Sequence, residues 1–246
     1  MLNFRLHPST SFIRNFSKRK EVERYLERQA NDQYSRRAKE HSYRARSAFK
    51  LLQINEKFNF IKPAPGSWCQ VLSELIFPLN PVPSKFQTNN LQEKGKEMVQ
   101  DGYILGIDLL PISPIDGVDL LCKADFLKPA TQTEITRRLA GRQVNLLLSD
   151  MAPNPIGDSR TDHFRIIQLC KSLLDFGTKE NDGKTILAKD GIFLCKIFDG
   201  QDRSEFKNNL NEHFNRVQFV KPEASRDNSP EIYIFASGFN NDRRRK

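Results

Sequence analysis

Short apolar segments alternate with amphipathic segments from residue 103 to residue 235, and no other feature of the sequence limits the fold as strongly. Apolar segments of this length predict strands, and amphipathic segments predict helices. Strands are predicted over 103–107, 144–148, 192–197, 216–220 and 232–235, and helices over 46–55, 67–77, 133–139, 163–176 and 203–214. Strands connected by helices form mostly parallel sheets that helices cover on both faces. The sequence therefore predicts one α/β domain, with a polar, Pro-containing surface loop over 78–102.

The formal net charge of +9 lies at the two ends of the chain. Residues 1–20 hold five Lys or Arg and no acid, residues 243–246 hold four more, and the charges between them cancel. A basic, acid-free leader with several Ser and Thr is typical of a mitochondrial transit peptide, and a disordered basic RNA-binding arm is the alternative. The interpretation is a leader over 1–20, one domain over 21–240 and a basic tail over 241–246.

A second basic segment, residues 33–50, carries six Lys or Arg against one Glu, with aromatic residues between them. Such a segment suits RNA, because cations contact phosphates while aromatic rings pack on bases or sugars. The arginines assigned to RNA here are Arg36, Arg37, Arg44 and Arg46. A solvated helix face is the alternative.

Neither a metal site nor a membrane span is indicated. Cys69, Cys122, Cys170 and Cys195 form no C-x-x-C pair, and the four histidines form no H-x-x-x-H pattern. The cysteines are interpreted as reduced core thiols. No apolar run approaches the roughly 20 residues that a bilayer requires.

Four charged residues stand in or beside apolar segments: Lys50, Asp150, Lys196 and Glu231. Lys196 interrupts a predicted buried strand, where an unpaired charge is costly and an ionisable group is a candidate for catalysis. Asp150 directly follows the segment 144–149, and ligands of open α/β sheets bind at the carboxyl ends of strands. The four residues are predicted to form a dispersed catalytic tetrad. A structural salt-bridge network is the alternative.

Five motifs extend this interpretation: SYRARSAFKLL at 42–52, LGIDLLP at 105–111, LSDMAPN at 148–154, FLCK at 193–196 and KPEASR at 221–226. In this order they resemble the FtsJ/RrmJ family of S-adenosylmethionine-dependent rRNA 2'-O-methyltransferases, and in particular its mitochondrial branch. The resemblance runs from about Arg37 to Phe239. It implies a Rossmann-like methyltransferase fold that ends in an antiparallel hairpin, and a protein of the mitochondrial matrix.

The resemblance also implies residue roles. Lys196 is the general base for the ribose hydroxyl, Asp150 orients it and faces the cofactor sulfur, and Lys50 and Glu231 hold the ribose. The cofactor S-adenosylmethionine is assigned to Pro65, Gly66, Ser67, Trp68, Asp108, Asp125 and Asp150. Asn154 and Arg226 are assigned to RNA, while turn formation is the alternative for their segments.

One part of the family pattern is absent. A strand normally stands immediately before the Ala-Pro-Gly motif at 64–66, whereas here residues 58–63 lead directly into it. A central strand that is deleted leaves its neighbours with unpaired amides, so cofactor binding depends on whether residues 58–61 replace it. A splice variant or gene-model error explains the gap at least as well as an evolved inactive form.

The leading hypothesis is 2'-O-methylation of mitochondrial large-subunit rRNA, as free RNA or in an assembling subunit, by a monomer. The resemblance points to a uridine in the peptidyl-transferase region. The alternative is a non-catalytic RNA-binding assembly factor, or an inactive splice form, because the first strand of the cofactor site is missing.

Overall fold

The computed structural model describes residues 32–41, 43, 45–61, 68–76, 102–181 and 183–241. The predicted leader, most of the loop over 78–102, and four assigned residues lie outside this part of the chain. Those four residues are Arg44, Pro65, Gly66 and Ser67.

In the described part of the chain, three helices precede the strands: α1 (Gln33–Glu40), α2 (Ser47–Phe58) and α3 (Trp68–Ile76). Asp32 begins α1, because its carboxylate accepts hydrogen bonds from the Tyr34 and Ser35 amides at 3.0 and 3.2 Å. The helices predicted over 46–55 and 67–77 correspond to α2 and α3. The apolar face of α2 is buried, and Lys50 is buried with it.

The strands form two described ladders and a small hairpin. Parallel strands β1 (Ile104–Asp108) and β2 (Val118–Cys122) form one ladder. The other has the order β3, β6, β8, β7, where β3 is Val144–Ser149, β6 is Leu187–Phe198, β7 is Phe214–Val220 and β8 is Glu231–Phe239. Strands β3 and β6 are parallel, whereas β8 is antiparallel to both β6 and β7. The hairpin consists of β4 (Glu180–Asn181) and β5 (Lys184–Thr185).

The alternating pattern located most elements but missed the strands β2, β4 and β5. Several boundaries also differ from the predicted ones; for example, β6 begins at Leu187 and β8 extends to Phe239. Strand β2 was not predicted, because all five of its residues are only half-buried and Asp119 interrupts its apolar character. The helix predicted over 203–214 ends at Asn211, since Phe214 already begins β7. Within the described ladders, β1 pairs with β2 alone and β3 with β6 alone. The absence of a first strand remains a prediction.

Helices cover both faces of the larger ladder. On one face, α4 (Pro129–Leu139), α5 (Ser159–Thr178) and α6 (Arg203–Asn211) contribute to the apolar cluster that contains Phe193, Cys195 and Ile197. On the other face, α1, α2 and α3 contribute to the cluster that contains Leu194 and Tyr233. Because successive side chains of a strand point to opposite faces, Lys196 lies on the same face as Leu194, beneath α2. This placement brings a strand lysine towards Lys50.

Candidate active site

The structure brings together all four members of the predicted tetrad, which is Lys50, Glu231, Lys196 and Asp150. Lys50 Nζ lies 2.7 Å from Glu231 Oε1 and donates to Oε2 at 2.8 Å. Lys196 Nζ lies 3.0 Å from Asp150 Oδ1 and 4.0 Å from Glu231 Oε2. Ammonium groups and carboxylates therefore alternate in a continuous row of ion pairs. A reacting group bound beside this row can contact a positive or a negative charge.

Strand register explains why residues so distant in sequence meet. In the parallel pair, Ser149 lies opposite Cys195, so Asp150 reaches the level of Lys196. In the antiparallel pair, Lys196 lies opposite Tyr233. Glu231 stands two residues before Tyr233 and so shares its face of β8. Three neighbouring strands thus place their polar side chains together at the end of the ladder where β3 and β6 finish and β8 begins.

Two further residues complete the site, and the sequence interpretation did not include them. The Tyr233 hydroxyl donates to Asp150 Oδ1 at 2.6 Å, and the Ser225 hydroxyl donates to Glu231 Oε1 at 2.7 Å. Tyr233 was detectable, because the two-residue period of β8 places it on the same face as Glu231. Ser225 lies in a loop, and no periodic signal points to it.

The surroundings lower the pKa of Glu231 and raise the pKa of Tyr233, both of which lie on β8. Burial alone would raise the pKa of Glu231, but the charge and hydrogen bond of Lys50, the Ser225 hydroxyl and Lys196 together lower it. Burial raises the pKa of Tyr233 well above its ordinary value, and the charges of Asp150 and Glu231 raise it further. Glu231 is therefore held as a carboxylate, and Tyr233 remains a hydrogen-bond donor at neutral pH.

We expect the Tyr233→Phe variant to lose about tenfold in turnover, because Asp150 loses a charge-assisted hydrogen bond worth roughly 1.5–3 kcal/mol. The aromatic ring keeps its contact with Trp68, at a centroid distance of 5.9 Å, so the variant should stay folded although its free energy of unfolding falls by a similar amount. Steady-state turnover kinetics measure the effect. Tyr103→Phe is the matched control, since it removes an exposed hydrogen bond to Asp119 on β2. Equal turnover in the two variants would contradict a role for Tyr233.

Two acids assigned to the cofactor stand near the carboxyl ends of β1 and β2. Asp108 Oδ1 accepts the Leu110 amide at 2.8 Å, and Asp125 Oδ1 accepts the Leu127 amide at 3.0 Å. Each acid therefore forms a turn with one oxygen. In the described part of the chain, the other oxygen of each carboxylate makes no hydrogen bond. Leu110 and Leu127 are exposed beside them, as is Leu109.

Trp68, assigned to the cofactor, and Asn154, assigned to RNA, each make a hydrogen bond that fixes a neighbouring segment. The Trp68 indole N–H donates to the Ser47 carbonyl at 3.0 Å and so ties α3 to the first residue of α2. Asn154 is exposed, and its carbonyl accepts a hydrogen bond from Arg165 Nη1 at 2.8 Å. The loop from Asp150 to the start of α5 is therefore attached to that helix.

The arginines assigned to RNA have different environments. Arg36 is exposed, whereas the Arg37 guanidinium lies over the rings of Phe49 and Tyr34, at 5.3 and 5.9 Å from their centroids. Arg46 and Arg226 both pair with Asp32, a partner that the sequence interpretation did not include. Metal-binding groups of three or more His, Cys, Asp or Glu are absent from the described residues, and none of the described helices is long and apolar enough to cross a membrane.

Comparison with known proteins gives one family and consistent relatives. The model of the family "FtsJ-like methyltransferase" matches residues 43–239. "rRNA methyltransferase 2, mitochondrial" of Caenorhabditis elegans is 43% identical over 227 residues, which cover 89% of this chain and 94% of that protein. "Ribosomal RNA large subunit methyltransferase E" of Azoarcus is 37% identical over 219 residues, covering 85% and 93%. A crystal structure of a Plasmodium falciparum ribosomal RNA methyltransferase has a similar fold, with a TM-score of 0.61 at 24% identity, covering 80% of this chain and 98% of that one.

Proposed function

Since this chain belongs to the FtsJ-like methyltransferase family, we propose that it transfers a methyl group from S-adenosylmethionine to a ribose 2'-hydroxyl of mitochondrial large-subunit rRNA. Family membership confirms the resemblance drawn from the five motifs. The observation that carries the proposal is the tetrad of Lys50, Glu231, Lys196 and Asp150, which joins α2 to three strands within ion-pair distances.

The relatives support the choice of substrate. The nematode protein is named as a mitochondrial rRNA methyltransferase, and the bacterial protein as a large-subunit rRNA methyltransferase. A leader over residues 1–20, a location in the matrix, a monomeric state and a uridine in the peptidyl-transferase region are further parts of the proposal. They rest on the basic, acid-free leader and on the resemblance to the mitochondrial branch.

The chain's residues perform two tasks in this reaction. When bound, S-adenosylmethionine supplies an electrophilic methyl group on a positively charged sulfur. The 2'-hydroxyl is a weak nucleophile, so it must be held in line and lose its proton as the new bond forms. Lys196 is the group assigned to take up that proton, and Asp150 and Glu231 hold the resulting ammonium. Lys50 and Glu231 hold the ribose, and Tyr233 keeps Asp150 in place.

The described residues fit a nucleoside cofactor with a positive sulfur. Asp108, Asp125 and Asp150 stand at or just beyond the carboxyl ends of β1, β2 and β3, each of which has a parallel neighbour, and such cofactors bind at the carboxyl ends of parallel strands. Asp108 and Asp125 each keep a carboxylate oxygen for hydroxyl or amino groups, and the exposed leucines beside them offer apolar contact to a base. Pro65, Gly66 and Ser67 are proposed for the methionine part on the resemblance alone, with Trp68 beside them.

We expect the Asp108→Ala variant to bind S-adenosylmethionine about 10- to 100-fold more weakly, because a carboxylate that accepts hydroxyl groups contributes roughly 1.5–3 kcal/mol. Asp108→Asn is the matched variant, since its side-chain oxygen keeps the turn with Leu110 and removes only the charge. Calorimetric titration compares the two. If both variants bind as tightly as the parent, Asp108 does not contact the cofactor.

For RNA, we propose contacts from Arg36, Arg37, Arg44, Arg46, Asn154 and Arg226. Arg36 and Arg37 combine exposed or ring-stacked guanidinium groups with nearby aromatic rings, which suits a single-stranded substrate. Arg46 and Arg226 both pair with Asp32. This cluster lies at the 221–230 segment, which directly precedes Glu231 of the tetrad.

A non-catalytic RNA-binding assembly factor is the second candidate, and it is favoured by the absence, among the described strands, of a ladder contact between the β1–β2 pair and the larger ladder. The deciding experiment is calorimetric titration with S-adenosylmethionine of the chain itself and of a version with a family-like strand inserted before Ala64. Micromolar binding by both supports the enzyme. Binding by the restored version alone identifies this chain as an inactive form. If neither version binds, the assignment to S-adenosylmethionine is wrong.

A further inference from the structure

We propose that Asp32 is a positioning residue that latches the 221–230 segment against α2, and that an RNA phosphate competes with it for Arg226. The inference rests on the proposed function and adds a link between RNA binding and the geometry of the tetrad. Nothing in the local sequence around Asp32 predicts it, because its partners lie 14 and 194 positions away.

One buried carboxylate serves several donors. Asp32 Oδ1 accepts the first amides of α1, while Oδ2 pairs with Arg46 Nη1 and accepts from Arg226 Nη2 at 3.2 Å. The Asp32 side chain is 8% exposed, against 17% for Arg46 and 36% for Arg226. The Arg226 guanidinium is therefore the part of this cluster that solvent or a ligand reaches most easily.

The cluster holds both backbone polar groups of Ala224. Arg46 Nη2 donates to the Ala224 carbonyl, and the Ala224 amide donates to Gln53 Oε1 at 2.8 Å. Arg46 immediately precedes α2 and Gln53 lies within it, so that helix grips the 221–230 segment directly. The next residue, Ser225, donates to Glu231, whose other partner Lys50 also belongs to α2. Asp32 therefore acts on the tetrad through Arg46 and Ala224, without touching a tetrad residue.

Among the described residues, the cluster carries more positive than negative charge. Within this part of the chain, Arg46 and Arg226 share the carboxylate of Asp32, whereas the tetrad beside them contains two lysines and two carboxylates. Burial lowers the pKa of Arg46, and the neighbouring charge of Arg226 lowers it further. A phosphate oxygen bound to Arg226 neutralises the surplus through charge-assisted hydrogen bonds. RNA offers one such charge per nucleotide.

Competition makes a specific prediction about the Asp32→Asn variant. Asparagine is as good a helix N-cap as aspartate, so α1 keeps its first hydrogen bonds and only the charge is lost. Arg226 is then free for phosphate, and we expect a short RNA oligonucleotide to bind about three- to tenfold more tightly at low salt. The 221–230 segment loses its anchor, so turnover should fall about tenfold. Hydrogen exchange at the Ala224 and Ser225 amides should accelerate.

Arg226→Gln provides the opposite variant, and Arg226→Lys its matched control. Losing one phosphate contact should weaken RNA binding and lower the slope of log K against log salt by about 0.7 in magnitude, the value expected for single strands. Arg226→Lys keeps the charge and should keep most of that slope. Thermal unfolding of each variant verifies that it is folded.

The outcomes separate the two proposals. If the parent methylates rRNA but Asp32→Asn binds RNA no more tightly than the parent, the latch is wrong and the enzyme assignment stands. An unchanged salt slope in Arg226→Gln also overturns the latch, even if Asp32→Asn does not fold. If a polyglutamate peptide displaces RNA from the parent but not from Arg226→Gln, the anion that Arg226 binds belongs to an acidic protein partner and not to RNA. If the parent fails to methylate rRNA while the opposed shifts in RNA affinity appear, the proposed reaction fails and the latch remains.

Discussion

The Lys196→Ala variant is expected to lose about 10³-fold or more in methyl-transfer turnover, because a positioned general base contributes roughly 10² to 10⁴ in rate. Its affinity for S-adenosylmethionine should stay within about threefold of the parent. Asp150 keeps its hydrogen bond from Tyr233, and Glu231 keeps both Lys50 and Ser225, so no carboxylate of the tetrad is left without a partner. Single-turnover methylation, measured beside calorimetric titration, separates chemistry from binding.

Lys189→Ala is the matched control for this experiment. Lys189 lies on the same strand, β6, seven residues before Lys196, and its side chain is exposed. Removing it tests the effect of deleting a lysine from this strand without touching the tetrad. Turnover within about threefold of the parent in Lys196→Ala would remove Lys196 as the base and favour a purely structural salt-bridge network.

The Glu231→Gln variant is expected to lower the free energy of unfolding at neutral pH by about 3 kcal/mol, because removing one partner of a buried ion pair leaves the other charge uncompensated. Lys50 and Lys196 both face Glu231, and their side chains are only 10% and 11% exposed. Turnover should fall at least tenfold as well, since Lys50 loses the acid that holds it. Urea unfolding and methyl-transfer kinetics measure the two effects.

The pH dependence of this destabilisation has a definite sign. The pKa of Glu231 is lower in the folded protein than in the unfolded chain, so its stabilising contribution is complete above the unfolded value. It is lost as pH falls through the folded value. The difference in unfolding free energy between the parent and Glu231→Gln should therefore be largest near neutral pH and shrink below about pH 4.5. A constant difference across this range would show that Glu231 is not held as a carboxylate by its lysines.

Glu205→Gln supplies the control for ion-pair loss. Glu205 pairs with Lys171 at 2.9 Å, but their side chains are 71% and 31% exposed. Exposed pairs contribute roughly 0.2–1 kcal/mol, because water and salt screen them. The contrast between the two glutamates tests whether burial, rather than the number of ion pairs, makes the tetrad important for stability.

The tetrad and the salt-bridge network were alternative interpretations of the same residues, and the structure contains the contacts that both require. Measurements of turnover and of the free energy of unfolding distinguish the two interpretations. A structural network predicts that Lys196→Ala loses stability and turnover together, whereas a general base predicts a large loss of turnover at nearly constant stability. The family of the chain favours the base.

The sequence by itself determined the class of fold and the order of most elements, and it singled out Lys196 and Asp150, while the resemblance to a family added the roles of Lys50 and Glu231. Those features depend on local chemistry: the period of apolar residues distinguishes strand from helix, and a lysine inside an apolar strand is conspicuous because burial of a lone charge is costly. Strand β2 was not predicted, because its half-buried residues and Asp119 weaken the apolar pattern.

Only the tertiary structure decided which other side chains join the tetrad and which form the Asp32 cluster beside it. Tyr233 meets Asp150 across 83 positions, and Arg226 meets Asp32 across 194. Strand register sets the first contact, and the docking of α2 on the 221–230 segment sets the second. Neither is a property of a short stretch of sequence, because register and docking follow from how the apolar faces of distant segments pack together. The partners of the tetrad charges therefore emerge only when the chain is folded.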